Sequence, residues 1–161
     1  MLYKLTGDVL RSSAAAVAHG VSPDDHFDQG LALALRERWP AMYKDFRHYS
    51  HTSGPQPGGL WSWAGADGRR IVALFTQADV QQHGRRKATA SVEHVNHSLR
   101  ALRRLVEEEH IDSLALPRLA TGVGGLQWTE VEPLIEQRLG DLDIPVYVYA
   151  QYQPGVAAVE P

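Results

Sequence analysis

Over residues 89 to 110, apolar side chains return every three or four positions, at Val92, Val95, Leu99, Leu102 and Val106. That is the period of an α-helix with one buried stripe. A few residues later the spacing collapses into the stretch from Ser113 to Leu116, the mark of a short buried strand. A helix with one face to bury, beside a buried strand, is satisfied only by stacking in layers. The same switch of period recurs along the chain. Residues 2 to 5 read as a strand ended by a turn at Thr6, Gly7 and Asp8, residues 14 to 19 as a buried strand, and residues 144 to 149 as the last strand. Leu31, Leu35, Trp39, Met42 and Phe46 share one helical face, which Pro40 kinks or restarts as a second helix. LWSWAGADGRRIVALF, residues 60 to 75, reads as a hairpin turned at Asp67-Gly68. Thr129 and Glu132 fit a capping box that starts a helix through Val131, Leu134, Ile135 and Leu139. Residues 48 to 59 are a loop by composition, and the tail from residue 151 is expected to fray. Alternating strands and helices predict an α/β layered fold with a mixed sheet, residues 1 to 150 forming one domain.

Composition narrows the function. The net charge of −3 supplies no global field toward nucleic acid or an anionic membrane. The absence of cysteine excludes disulfides, thiolate catalysis and cysteine-held metals. No apolar run approaches the roughly 20 residues that span a membrane, and MLYKLTGD has no signal-peptide pattern, so a cytoplasmic setting is expected.

Three polar loops fall where strands enter helices: residues 6 to 10, 22 to 30 and 121 to 125. In α/β sheets ligands gather at such places. LPRLATGVGGLQW, residues 116 to 128, crowds Gly122, Gly124 and Gly125 after Thr121. Glycines let backbone N–H groups approach an anion, and a following helix N-terminus adds favourable potential. The loop is a phosphate cradle or a plain turn; it is neither a Walker loop nor a GxGxxG fingerprint. Asp8 is a turn residue or an acceptor for an amino group such as that of adenine. His94 with His97, and His48 with His51, have a ligand-like spacing but lack a third ligand, so no metal is expected. HGRRK, residues 83 to 87, is a charged loop, either solvated or in contact with phosphate. Asp24, Asp25, His26 and Asp28 are the acid–base candidates, and no Ser-His-Asp pattern or nucleophile elbow is present.

Taken together, LYKLTGDVL, AHGVSPDDHFDQGLALALRERWP, LFTQ, LPRLATGVGGLQW and VYVYA resemble the macrodomains, ADP-ribose-binding proteins of three-layer α/β/α fold. The order and spacing are most similar to the branch of terminal ADP-ribose protein glycohydrolase and the DNA ADP-ribosyl glycohydrolase antitoxins. The resemblance implies that Asp8 and Val9 meet adenine, with Tyr149 against its face. Gln29 and Gly30 would follow the pyrophosphate and distal ribose, and Thr76, within LFTQ, would also contact the ADP-ribose. Thr121, Gly122, Val123, Gly124 and Gly125 would wrap the phosphates. Two departures stand out: Gln77 occupies the place of that branch's lysine, and Gly124 the place of the protein-directed enzyme's aspartate. Asp28 stands where the relatives have a small residue. The implied activity is a hydrolase, without cofactor or metal, that removes mono-ADP-ribose from acidic side chains of protein or from DNA, with Gln77 and Asp28 as its catalytic candidates. The alternatives are an ADP-ribose reader that does no chemistry, or a binder of some other nucleotide.

Overall fold

The structure, a computed structural model, describes the backbone of residues 1–161 except His83, Gly84 and Val123, and the side chains outside residues 80–88 and 123. Its strands are β1 (Leu2–Gly7), β2 (Ala16–Val21), β3 (Leu60–Ala64), β4 (Arg70–Phe75), β5 (Gln77–Gln82), β6 (Arg85–Ala90), β7 (Leu114–Pro117) and β8 (Val146–Tyr152). The helices are α1 (Gly30–Arg38), α2 (Pro40–Ser53), α3 (Val92–Glu108) and α4 (Trp128–Leu139). Six strands form one sheet in the order β1-β8-β7-β2-β4-β3, all neighbouring pairs parallel except β3 with β4. β5 and β6 make a separate antiparallel ribbon.

Side-chain alternation along the strands builds both cores. Ala16, Ala18, Val72, Leu74, Leu114, Leu116, Val146 and Val148 pack with the stripe Val95, Leu99, Leu102 and Val106 of α3 and with Val131, Ile135 and Leu139 of α4. Their sequence neighbours Val17, Ile71, Ala73, Phe75, Ala115, Tyr147 and Tyr149 face Leu35, Met42 and Phe46 of α1 and α2. The result is the expected three-layer α/β/α fold with a mixed sheet. Pro40 does restart the helix: it is the first residue of α2, where its missing N–H costs no bond.

Four local expectations need correction. Residues 48–53 continue α2 instead of forming a loop, because Tyr49 stacks on Trp61 at 5.8 Å and Ser50 donates to the Pro23 carbonyl at 2.8 Å. Gly54, in the left-handed region, then ends the helix. The capping box of α4 is formed by Gln127 and Glu130, two residues before the expected pair. The backbone of Arg85–Ala90 is a strand, not a loop, although the side chains of HGRRK lie outside the described residues. Residues 153–161, expected to fray, fold back along β1: Gln153 N–H donates to the Gly7 carbonyl and Asp8 N–H to the Val156 carbonyl.

Candidate functional site

The carboxyl ends of the parallel strands β1, β7 and β8 open onto a cavity of about 800 Å³. Its wall runs from Asp8, Val9 and Leu10, past Gly30, Leu31 and Ala34 of α1, to Pro117, Arg118, Thr121 and Gly122, and closes with Tyr149 to Tyr152. Six expected ligand contacts therefore share one wall: Asp8, Val9, Gly30, Thr121, Gly122 and Tyr149. Gln29, Thr76, Gln77, Asp28, Gly124 and Gly125 are outside it. Val123 lies outside the described residues.

The Thr76 side chain is fully buried, and its hydroxyl lies so close to Gly20 that a Cβ on that glycine would come within 2.6 Å of it. Gln77, the first residue of β5, is also buried, next to the sheet end, and pairs with Ala90. Ala90 N–H in turn donates to the Gly124 carbonyl at 3.1 Å, which ties the β5–β6 ribbon to the glycine loop. Gly124 is packed tight: a Cβ there would stand 2.7 Å from the Ala120 carbonyl oxygen and 2.8 Å from the Ala90 methyl. At Gly122 and Gly30, by contrast, the same construction meets nothing within 4 Å. Both of these line the cavity, whereas Gly125, equally open, lies outside its wall.

Two helices begin near this region, and only one offers its end. α4 closes its own first turn, because Gln127 accepts from the Glu130 N–H and the Glu130 side chain accepts from the Gln127 N–H. α1 begins at Gly30 in the left-handed region, with no side-chain cap from Gln29 and no acid in its first turn. Uncapped N–H donors at a helix start attract an anion. The favourable helix end thus belongs to α1, across the cavity from the glycine loop.

Charge in the wall comes from Asp8 and Arg118. Asp8 is 7% exposed; its Oδ1 accepts from the Leu10 N–H and its Oδ2 from the Gly155 N–H, both at 3.0 Å. Arg118 donates its Nε to the Ala150 carbonyl, with its guanidinium 5.2 Å from the centre of the Trp128 ring. The sequence reading passed over Arg118, although its place two residues after Leu116 in the glycine motif was a usable signal. Tyr149 is 3% exposed, and its phenol, raised well above its ordinary value by burial and then by Glu160, donates to that carboxylate. It presents little surface for stacking; the open ring in the wall is Tyr152, 70% exposed.

On the loop before α1, Asp25 accepts from the Phe27 N–H at 2.8 Å. Burial, helped by the charges of Asp28 and Asp79, pushes its carboxyl above the ordinary range against the pull of the Phe27 and Ser22 N–H groups. Asp28 is exposed. Among the described residues no three His, Cys, Asp or Glu side chains converge on a metal position, and no helix is long and apolar enough to cross a membrane.

A cleft at the carboxyl ends of parallel strands, in an α/β/α sandwich, defines a ligand-binding α/β protein. The chain belongs to the Macro domain family, whose model matches residues 27–135. It is 27% identical over 147 residues to the DNA ADP-ribosyl glycohydrolase of Mycobacterium tuberculosis, a match covering 88% of this chain and 40% of that protein. The chain thus spans about two fifths of that relative's length. It is 25% identical over 134 residues to human ADP-ribose glycohydrolase OARD1, covering 83% of this chain and 80% of that one. The solved macrodomain of Thermus aquaticus DarG superposes with a TM-score of 0.82 at 27% identity, over 93% of this chain and 98% of that structure.

Proposed function

We propose that the chain is an ADP-ribosylhydrolase that binds ADP-ribose in this cavity and releases it from a modified macromolecule. The observation that carries the reading is the pair of facing backbone walls: the uncapped start of α1 at Gly30 and the open Gly122. Both suit a diphosphate, which backbone N–H groups can reach only where no side chain intervenes. Asp8 supplies an acceptor for the adenine amine at one end of the same wall. The names of the relatives, DNA ADP-ribosyl glycohydrolase and ADP-ribose glycohydrolase, point the same way.

Hydrolysis breaks the bond between C1″ of the distal ribose and the macromolecule. Water adds its oxygen to C1″, and its proton leaves with the departing group or to solvent. The transition state carries oxocarbenium character, so the site must hold the sugar and present water to it. The bound diphosphate can itself orient that water, with Gln77 or Asp28, which stand outside the cavity wall, assisting. Positioning and fixed dipoles supply rate without a strong base. If the run HGRRK, residues 83 to 87, flanks the cleft, modified DNA becomes a substrate alongside ADP-ribosylated acidic side chains. A cytoplasmic setting accompanies this reading.

The second reading, a reader that binds ADP-ribose without cutting, is favoured by Gln77 and Gly124 in place of the resembled enzymes' lysine and aspartate. The deciding experiment incubates the protein with ADP-ribosylated DNA and with protein ADP-ribosylated on glutamate, and follows free ADP-ribose. Release from either substrate supports the hydrolase. No release, with calorimetric binding of ADP-ribose intact, leaves the reader.

A further inference from the structure

Residues 153–161 return to the cavity end of β1 and take hold of it at several points. Asp8 N–H donates to the Val156 carbonyl at 2.8 Å, while Gly155 N–H donates to Asp8 Oδ2 at 3.0 Å. Ala158 then packs against the core beneath α1 and α2. One residue from the end of the segment, the Glu160 carboxylate gathers three donors: the Ser12 hydroxyl at 2.6 Å, the Ser13 N–H at 2.9 Å and the Tyr149 hydroxyl at 2.7 Å. Tyr147 adds a bond to the Pro161 carbonyl at 2.6 Å. Bonds to a carboxylate are shorter and stronger than neutral ones, so Glu160 is the anchor of this segment.

The three donors are not scattered. Ser12 and Ser13 end the turn that begins at Asp8, and Tyr149 is the neighbouring cavity wall on β8. Glu160 therefore joins the two elements that flank Asp8, and the same segment delivers the Gly155 N–H to the Asp8 carboxylate. A carboxylate has about four acceptor positions. Leu10 and Gly155 fill one on each oxygen of Asp8, fixing its plane and leaving the remainder for a ligand.

We propose that Glu160 is a positioning residue: by holding residues 153–161 against Ser12, Ser13 and Tyr149, it aims Asp8 at the amino group of a bound adenine and sets selectivity for that base. This rests on the reading that the cavity takes ADP-ribose. Glu160 touches no ligand; it acts through Gly155 and Asp8.

The test compares ADP-ribose with its hypoxanthine counterpart, in which a carbonyl replaces the amine, by calorimetry on the full chain, E160A and E160Q, with thermal unfolding of each. A site that pairs a buried acceptor with a ligand N–H rejects the analogue lacking it, so the unmodified protein should prefer the adenine form by roughly tenfold or more. E160A should weaken the adenine form about fivefold and leave the hypoxanthine form nearly unchanged, collapsing the ratio. E160Q, which keeps one accepting oxygen and the side chain's size, should fall between them, and it carries the comparison alone if E160A does not fold. An adenine-to-hypoxanthine ratio that stays within twofold of the unmodified protein's in the folded variants overturns the proposal, whatever happens to their melting temperatures. Failure of the unmodified protein to bind ADP-ribose at all overturns the ADP-ribose reading, and the positioning role with it.

Discussion

Gly122 and Gly124 stand two residues apart in one loop, yet a side chain would meet opposite fates at each. With nothing within 4 Å of its Cβ position, Gly122 has open space for a side chain, and a large one would extend into the cavity that Gly122 lines. Gly122→Phe is therefore expected to melt within a degree or two of the unmodified protein while losing measurable ADP-ribose binding by calorimetry; retained affinity would contradict the loop's place at the ligand. Gly124→Asp should do the reverse. Its Cβ would press on the Ala120 carbonyl and the Ala90 methyl, so it should lower stability by roughly 1–3 kcal/mol as overpacking does, and thermal unfolding reads that directly. The aspartate of the resembled enzyme cannot simply be restored, because Ala90 and the carbonyl of Ala120 already occupy its space. Among the described residues Arg118 is the cation of the wall, braced on Trp128 and on the Ala150 carbonyl through Nε. Arg118→Gln should weaken ADP-ribose about fivefold and flatten the salt dependence of binding, since a diphosphate loses its screened counter-charge. Adenosine, which carries no phosphate, serves as the control and should bind equally to both proteins.

At the scale of elements, the parts that were legible in the sequence are those whose period is written in apolar residues. The stripe of α3, the run of β7 and the Asp67-Gly68 hairpin each bury a pattern that no other arrangement satisfies. The β5–β6 ribbon escaped because it lies off the main sheet and its second arm is the charged run Arg85-Arg86-Lys87, without an apolar face to alternate. Residues 48–53 escaped for another reason: their helix is held by Tyr49 on Trp61 and Ser50 on Pro23, partners that local composition cannot show. The site divides in the same way. Glycines and Asp8 are visible because their chemistry is local, whereas the bond from Gly155 to Asp8 joins positions 147 residues apart. The start of α4 offers a direct check on such a displaced signal. Gln127→Ala removes the acceptor of the capping box and should cost about 1 kcal/mol by chemical denaturation, while Thr129→Ala, the expected cap, should cost a few tenths at most. Equal losses at the two positions would contradict the assignment.

For the molecule as a whole, folding is coupled to protons through a group that lies outside the cavity wall. His19, on β2, is 2% exposed, its ring edge against Phe27 at 5.5 Å and its Nε2 without a hydrogen-bond partner among the described residues. Burial lowers its pKa from 6.5 to about 4, so the folded protein keeps the imidazole neutral where the unfolded chain protonates it. The sign follows from which state binds the proton. Between pH 6.5 and about 4 the unfolded state takes up a proton that the native state refuses, so stability falls as the pH falls through that window. Above 6.5 the group contributes no slope, and below about 4 both states are protonated and the loss stops growing. The full span amounts to about 3 kcal/mol, a substantial share of a marginal domain stability. Asp25 works against this trend, since a carboxyl raised by burial favours the fold as it becomes protonated. Comparison with a variant isolates the histidine: in urea unfolding at pH 7.5, 6, 5 and 4 the unmodified protein should lose up to about 3 kcal/mol relative to His19→Leu as the pH drops, because the leucine has no proton to gain. Curves that stay parallel over the whole range would show that the imidazole titrates in the folded protein much as it does in the unfolded chain, and that its seat between β2 and Phe27 admits the charged form.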